Sequence, residues 1–328
     1  MTRILAIGSA CQDIFFPTKE GVLMETPQDL LSQKKVAFEL GAKYPIENRY
    51  EALGGNSVNV AVGLKKLGEN VAVYACVGDD LTGSWILEQL EKTGIEKNLV
   101  KIQQACQSDL SAIVVAENAR DRIIFTNHMA SKKMVFDGQK VEADFDWVFI
   151  GDLSGAWQKN LVEILTFAKE KKLKLAFNPR QKTIHEDTQK VLETIAQCDL
   201  LFLNKDEALE IIGASLYTAP DKQMKQEFYL AHCLAKIGAK TVVLTDGSRG
   251  AWAFANGKFF HTHAICSEKI VDTTGAGDAF TSGFFAAQLK EKSIIQSLHW
   301  GIANATSSLG QYGGQAGLLN QEQIENLN

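Results

Sequence analysis

The chain has 328 residues, of which 45% are hydrophobic and 22% charged, and its formal net charge is −5. This composition is typical of a globular protein, and the mild negative charge gives no electrostatic indication of binding to nucleic acid or an anionic membrane. No stretch of eighteen consecutive apolar residues occurs, so we expect no membrane-spanning segment. Six scattered cysteines without a Cys-x-x-Cys pair predict a cytoplasmic protein with neither disulfides nor a zinc site.

The first predicted element is a buried strand from Arg3 to Gly8, and Asp13 follows shortly after it. Ligands of open α/β sheets bind beyond the carboxyl ends of the strands. Asp13 is therefore a candidate for binding polar groups of a substrate. The alternative is a solvated aspartate in a turn.

Two segments do not follow a strand-helix rhythm. The first, about residues 15 to 53, contains extended pieces at 35–39 and 44–51, and the second is a hairpin with arms at 108–116 and 122–126. We combine them into a small β-sheet lid, formed by about 13–53 and 99–128 and inserted in a single domain that spans 1–328. Open strand edges on such a lid also predict a homodimer through it.

A helix is predicted to begin after Gly54 and Gly55, where the paired glycines allow close approach of the backbone to a ligand. Asn56 and Asn59 lie three residues apart and share one face near the start of this helix. Their amides both donate and accept hydrogen bonds, which suits a polyol better than a phosphate.

From Val71 onward strands alternate with helices, which predicts a mainly parallel sheet with helices on both faces. Asp152 and Asn178 each follow a predicted strand directly. Asp152 could meet a sugar hydroxyl, and Arg180 could meet a negatively charged group. The alternative for both is a loop residue without a special role.

Two later segments carry further candidate site residues. Asn204 and Glu207 are three residues apart after a predicted strand, a spacing that also fits a helix capping box. Thr245 ends another strand and Gly247 lies in the turn that follows it.

The segment from Asp272 to Phe280, with the sequence DTTGAGDAF, predicts a strand, a glycine turn and a helix start. We expect the strand at 269–271. Free N–H groups and the helix dipole make such a start an anion site. A carboxylate beside an anion site would repel the bound anion, so its presence needs an explanation. It is explained if the carboxylate takes a proton from a hydroxyl that attacks phosphorus. Asp278 is thus a candidate base, and the N–H groups of Gly275, Ala276 and Gly277 are candidates for holding phosphoryl oxygens.

This segment has two other interpretations. Asp278 could be an ordinary capping residue at the start of a helix. A dinucleotide-binding fingerprint is excluded, because Phe280 occupies the position of its third glycine and the segment lies near the C-terminus.

The segment DTTGAGDAF resembles the C-terminal signature of the ribokinase-like (PfkB) carbohydrate kinases, and residues 54–68 (GGNSVNVAVGLKKLG) resemble their N-terminal signature. The resemblance implies a three-layer α/β/α sandwich, a mainly parallel central sheet and an inserted β-sheet lid. It also implies that Asp278 is the catalytic base and that Asp13, Gly54, Gly55 and Asn59 contact the substrate. Ribokinases have lysine where this chain has Asn56.

The same resemblance assigns the cofactors, which are ATP and Mg²⁺. It places Thr245 and Gly247 near the ATP phosphates and Asn304 beside the adenine. It also implies that Asn204 and Glu207 bind magnesium through water molecules. It also suggests a monovalent cation such as K⁺ near residues 311–317, where Gly317 replaces the serine of ribokinases.

The sequence therefore predicts an ATP-dependent kinase that phosphorylates a hydroxyl of a sugar or sugar-like substrate. A nucleoside kinase of the same family is the first alternative, because a ribose 5′-hydroxyl demands the same chemistry. A catalytically silent sugar-binding or regulatory protein is the second, although such a protein has no use for a base beside an anion site.

Overall fold

The computed structural model describes residues 2–26, 34–118, 121–215, 226–267 and 270–327. None of the helices within these ranges combines the length and the apolar composition that crossing a bilayer requires. The strands, numbered in chain order, are β1 (Arg3–Ile7), β2 (Cys11–Thr18), β3 (Val22–Glu25), β4 (Lys34–Ala37), β5 (Tyr50–Gly54), β6 (Asn70–Tyr74), β7 (Cys76–Gly78), β8 (Lys101–Gln103), β9 (Asp109–Ala116), β10 (Asp121–Asn127), β11 (Trp147–Ile150), β12 (Lys174–Phe177), β13 (Leu200–Asn204), β14 (Thr241–Thr245), β15 (Ala251–Ala255) and β16 (Lys258–Thr262).

The helices of the described ranges surround the larger sheet. Numbered in chain order, they are α1 (Asn56–Lys66), α2 (Leu81–Thr93), α3 (Trp157–Glu170), α4 (Gln181–Glu186), α5 (Thr188–Ile195), α6 (Lys205–Ala214), α7 (Glu227–Ile237), α8 (Ala276–Leu289), α9 (Ile294–Ser308) and α10 (Gln321–Glu325).

The larger sheet has eight strands in the order β16-β15-β14-β13-β12-β11-β1-β6. The six strands from β14 to β6 are parallel, and β15 and β16 continue the sheet in antiparallel pairs. Successive residues of β1 enter opposite cores: Leu5 and Ile7 belong to one buried cluster, and Ile4 and Ala6 belong to the other. Both faces of the sheet are therefore covered, and the predicted α/β/α sandwich is confirmed.

A separate four-stranded sheet has the order β10-β9-β2-β5, so the predicted additional β-sheet is confirmed. Its hairpin pairs β9 with β10 as expected, with Ile113 opposite Ile124. Two details differ from the sequence interpretation. Residues 44–49 lie outside any strand, in an exposed segment where Pro45 offers no N–H for pairing. Strand β8, at 101–103, pairs with β7 instead of joining this sheet.

The helix that begins after the glycine turn, α8, lies between two other helices because small residues allow close approach. A Cβ on Gly63 of α1 would come within 2.1 Å of the Ser282 hydroxyl, and one on Gly283 would come within 2.6 Å of the Trp300 carbonyl of α9.

The predicted strand at 269–271 is wrong for the two residues that the structure describes: Ile270 and Val271 are in no strand, and Lys269 lies outside the described residues. The N–H of Val271 instead donates to the Leu309 carbonyl at the end of α9, at 2.8 Å.

Candidate active site

A cavity of about 350 Å³, called the polar cavity below, lies where β12, β13 and β14 end. Parallel strands bring their carboxyl ends to one edge of a sheet, which is why residues distant in sequence meet here. Its lining residues are Asn56, Asn178, Pro179, Arg180, Gln181, Phe202, Leu203, Asn204, Glu207, Val243, Thr245, Gly277, Asp278, Phe280 and Thr281.

The carboxyl group of Asp278 lies in this cavity, in the first turn of α8. The Nδ2 atom of Asn56 donates to its Oδ1 at 2.6 Å, and the Nδ2 atom of Asn59 donates to its Oδ2 at 2.8 Å. The two asparagines therefore share a helix face, as their spacing indicates. In this structure they hold a carboxylate, one oxygen each.

Burial raises the pKa of Asp278 to about 6, and the nearby charge of Asp152 adds to that rise. The hydrogen bonds from Asn59 and Asn56 and the charge of Arg180 act in the opposite direction. A carboxyl group with a pKa of about 6 is mostly ionised at neutral pH yet basic enough to accept a proton. This balance suits a general base.

The start of α8 exposes backbone donors beside Asp278. Gly275 precedes the helix with φ of 73°, and a Cβ there would come within 2.5 Å of the Gly314 Cα. Gly277 faces open space, and as a residue of the first turn it has an N–H without a helical partner. The N–H of Ala276 already donates to the Thr273 carbonyl at 3.3 Å, which makes it a weaker candidate than Gly277.

Asn204 and Glu207 form the capping box that their spacing allowed. The Asn204 Oδ1 accepts the N–H of Glu207 at 2.8 Å, and the Glu207 Oε2 accepts the N–H of Asn204 at 2.9 Å. Both line the polar cavity, and burial raises the pKa of Glu207 to about 7. Its other oxygen, Oε1, has no hydrogen bond to any residue that the structure describes. A sparse oxygen set of this kind fits Mg²⁺, which keeps several waters.

A second cavity of about 560 Å³, called the apolar cavity, adjoins the first, and both are lined by Thr245, Gly277 and Phe280. Its wall includes Gly247, Ile265, Ile270, Ile302, Ala305 and Leu309. Asn304 does not line either cavity. It is completely buried, its amide donates to the Ala279 carbonyl and the Ser282 hydroxyl, and its Oδ1 accepts the Leu319 N–H. Its neighbours on α9 reach the cavity instead.

Asp13 is buried within β2, and it lines neither cavity. The Cys11 thiol donates to its Oδ1 at 3.1 Å, and burial raises the pKa of Asp13. At the paired glycines, other parts of the protein, and not a ligand, occupy the space that a side chain would need. A Cβ on Gly54 would come within 2.2 Å of the Asp13 carboxylate, and one on Gly55 within 2.3 Å of the Ser9 carbonyl. The φ of Gly55 is 97°, a conformation that favours glycine.

Asp152 is buried with its oxygens already engaged. It accepts hydrogen bonds from the Ser9 N–H at 3.2 Å and the Ser9 hydroxyl at 2.6 Å, and the guanidinium of Arg180 lies 3.2 Å away. Arg180 itself lines the polar cavity, whereas Asp152 does not line it and contacts Arg180 instead.

Sequence reasoning missed Arg122 and Gln315. Arg122 reaches from β10 to the Thr273 hydroxyl, and its buried Nε has no hydrogen-bond partner within the described residues. Gln315 donates to the Asn59 Oδ1 at 2.9 Å. No local pattern distinguishes either residue, because each acts across a contact between segments far apart in sequence.

Comparison with known proteins identifies the class of molecule. A ribokinase from Haemophilus influenzae is 28% identical over 289 residues, which cover 86% of this chain and 89% of that protein. A structure of a putative ribokinase II from E. coli in complex with ATP and Mg²⁺ has a TM-score of 0.76 at 17% identity, covering 99% of this chain and 98% of that one. A Burkholderia thailandensis nucleoside kinase in complex with inosine has a TM-score of 0.77 at 16% identity, covering 98% and 94%.

The family itself is shown by a match to a family model over most of the chain. The profile of the pfkB family carbohydrate kinases covers residues 34–321. The predicted family, the predicted fold and the predicted enzyme class, a phosphotransferase with an alcohol group as acceptor, are therefore confirmed. The chain belongs to the pfkB family of carbohydrate kinases.

Proposed function

We propose that this protein transfers the γ-phosphoryl group of ATP to a hydroxyl of a sugar or sugar-like molecule, with Asp278 as general base. The observation that carries the proposal is the position of Asp278. Its half-buried carboxylate is held by two amides at the start of α8, where the polar cavity meets the apolar cavity.

In the proposed reaction the acceptor hydroxyl lies against Asp278, which takes its proton as the oxygen attacks the γ-phosphorus of ATP; the bond from that phosphorus to the β-phosphate oxygen breaks, and ADP leaves. Negative charge on the transferring phosphoryl group is met by the N–H groups of Gly275, Ala276 and Gly277, of which Gly277 has the most open surroundings. Asn204 and Glu207 would hold Mg²⁺ through water. The ion, when bound, neutralises phosphate charge.

The apolar cavity suits the base of a nucleotide. Thr245 suits the phosphates because it lines both cavities, and Gly247 is assigned to them as a residue of the turn that follows Thr245 and lines the apolar cavity. The E. coli relative in complex with ATP and Mg²⁺ supports this choice of cofactor. Because Asn304 is engaged in the core, we assign the adenine surface to Ile302, Ala305 and Leu309 instead. A K⁺ site near residues 311–317 stays a prediction.

For the acceptor we propose contacts on the lid side of Asp278. Asn56 and Asn59 are the nearest candidates, and Asp13, Gly54 and Gly55 lie behind them at the junction of β2 and β5. Asp152 contributes through Arg180, which it orients toward the polar cavity.

A nucleoside acceptor is the second candidate, because aromatic rings lie on the same face of the lid sheet as Asp13. Tyr50 stacks on Tyr312 with ring centroids 4.5 Å apart, and Phe15 lies 5.8 Å from the Tyr312 ring. Such rings suit a nucleobase. The Burkholderia thailandensis relative in complex with inosine agrees with this alternative.

The test is release of ADP from ATP and Mg²⁺ over a panel of pentoses, hexoses, keto-sugar acids and nucleosides. A hit that disappears in Asp278→Asn identifies the acceptor class and the base together. Silence over the panel from a folded protein that binds ATP would favour the regulatory alternative.

A homodimer through the lid is also proposed. Phe16, Val114 and Ile123 lie side by side across β2, β9 and β10 on one face of the sheet, and Phe125 on that face is 62% exposed. A row of apolar side chains at a sheet surface is a common partner site. Light scattering is expected to give twice the chain mass, whereas a monomeric mass would reject the dimer.

A further inference from the structure

The amides that contact Asp278 are themselves held by two further amides. The Asn178 Oδ1 accepts from the Asn56 Nδ2 at 2.9 Å, and the Asn178 Nδ2 donates to the Phe202 carbonyl at 2.9 Å. We call the set of Asn56, Asn59, Asn178 and Gln315 the amide network.

The second half of the network leads to the other oxygen of Asp278, and here the outer amide donates to the inner one. The Gln315 Nε2 donates to the Leu53 carbonyl at 2.7 Å and to the Asn59 Oδ1 at 2.9 Å. Each half therefore begins at a main-chain carbonyl and ends at one oxygen of Asp278.

A main-chain carbonyl can only accept a hydrogen bond, and this fixes the direction of every bond in the network. The Phe202 carbonyl requires the NH₂ group of Asn178, so the Asn178 oxygen must face Asn56. The Leu53 carbonyl requires the NH₂ group of Gln315, which then faces the Asn59 oxygen. Asn56 and Asn59 consequently present NH₂ groups to Asp278.

We propose that Asn178 and Gln315 are positioning residues that fix the orientations of the Asn56 and Asn59 amides, so that both oxygens of Asp278 receive donors and neither faces an acceptor. This inference rests on the proposed role of Asp278. It adds two residues that do not touch the reacting atoms.

The orientation of Asn56 has a cost, which indicates that it is imposed from outside. Its Oδ1 is buried with no hydrogen-bond partner within the described ranges, and a Cβ on Gly151 would lie 2.3 Å from it. A free amide would gain by turning that oxygen toward a donor. In this structure such a turn would bring it against the Asn178 oxygen.

The chemical consequence concerns the protonated form of Asp278. Without the outer amides, Asn56 and Asn59 could rotate and accept the acid proton, which would stabilise the neutral carboxyl group, raise its pKa and leave less of the base ionised at a given pH. With the outer amides in place, the network stabilises only the ionised form. The charged groups facing Asp278 from other elements are Asp152, Arg180 and Glu207, and none of them belongs to the network.

The variants Asn178→Leu and Gln315→Met remove one outer amide each without changing any charge. We expect the acid limb of the pH dependence of kcat to move up by about one pH unit in each, with kcat above the limb reduced by no more than about threefold. A loss of structure alone would lower kcat at every pH and leave the limb in place.

The matched control is Asn160→Leu. Asn160 is also a buried amide that bridges main-chain groups, to Phe136 N–H and the Met134 carbonyl at 2.9 Å each, but it lies on α3 outside both cavities. We expect an unshifted limb in this variant. Should Asn178→Leu fail to fold, Gln315→Met decides the proposal.

The pKa of Asp278 can also be followed without any activity, by the ¹³C carboxyl resonance that disappears in Asp278→Asn. If the wild-type protein phosphorylates nothing, the proposed function fails, and this resonance still tests the network. An unchanged titration in both folded variants would overturn the proposal. A shift in only one would overturn the role of the other residue.

Discussion

The two adjoining cavities differ in what they can bind. The polar cavity is lined by amides, an arginine and two carboxylates with raised pKa values, whereas the apolar cavity presents mostly aliphatic side chains and glycine. They share Thr245, Gly277 and Phe280. In the proposed function, the polar cavity is where the reaction takes place and the apolar cavity binds the nucleotide base, and the two cavities meet at the start of α8. Changes on one side should therefore alter one kinetic constant at a time.

The largest effect is expected from Asp278→Asn, which removes the base from the polar cavity. We expect kcat to fall by roughly two orders of magnitude or more, with ATP affinity kept, because the apolar cavity is unchanged. Steady-state kinetics and ATP titration measure the two quantities. The control is Asp144→Asn, an exposed carboxyl in the segment between β10 and β11. Normal turnover by Asp278→Asn would refute the assignment of the base.

The next effect concerns the junction of the cavities and compares two glycines. A methyl group on Gly277 would project into open space, so Gly277→Ala should fold normally and lower kcat/KM for ATP by about tenfold or more by obstructing the phosphates. Gly275→Ala should instead lose roughly 1–2 kcal/mol of stability, because φ is 73° and Gly314 leaves no room. Urea unfolding separates the two outcomes. Equal stability losses would contradict this comparison.

A smaller effect is expected on the apolar side. Ala305→Phe fills part of the apolar cavity from α9, and we expect KM for ATP to rise by about tenfold while kcat changes little. The KM of the acceptor serves as the internal control, since it should stay constant. A loss in kcat with an unchanged KM for ATP would mean that the apolar cavity does not receive the nucleotide base.

The smallest effect is the pH dependence of the wild-type protein. Asp278 must be ionised to accept a proton, so kcat should fall to half near pH 6 and continue downward in acid. If the Glu207 carboxylate serves magnesium, kcat begins to decrease earlier as the pH is lowered, near pH 7. Glu207→Gln removes that earlier part of the profile. Rates measured from pH 5 to 9 test both. A flat profile over this range would reject the base.

The same raised pKa makes a prediction about stability. The folded protein keeps a proton on Asp278 that the unfolded chain releases near its ordinary value of 3.8, so this group lowers stability progressively as pH rises from about 4 to about 6. Comparing the unfolding free energy of wild type and Asp278→Asn over that range should show a difference that grows with pH. A constant difference would contradict the raised pKa.

Local patterns were sufficient for much of the fold. The alternation of apolar strands and amphipathic helices indicated the parallel sheet, and Trp147–Ile150 has the predicted limits. Patterns failed where extended residues had no partner strand, as at 44–49 and at Ile270 and Val271. Whether a β-branched segment becomes a strand depends on a free sheet edge beside it, which local sequence does not specify.

The sequence by itself determined the glycine turn, the start of α8, the carboxylate in its first turn and the shared face of Asn56 and Asn59, because each follows from the spacing of neighbours along one helix. Only the tertiary structure decided that those amides bind Asp278, that Asn178 and Gln315 orient them, and that Asn304 is held in the core. These contacts join residues more than twenty positions apart. Their directions depend on which main-chain carbonyls packing brings within reach.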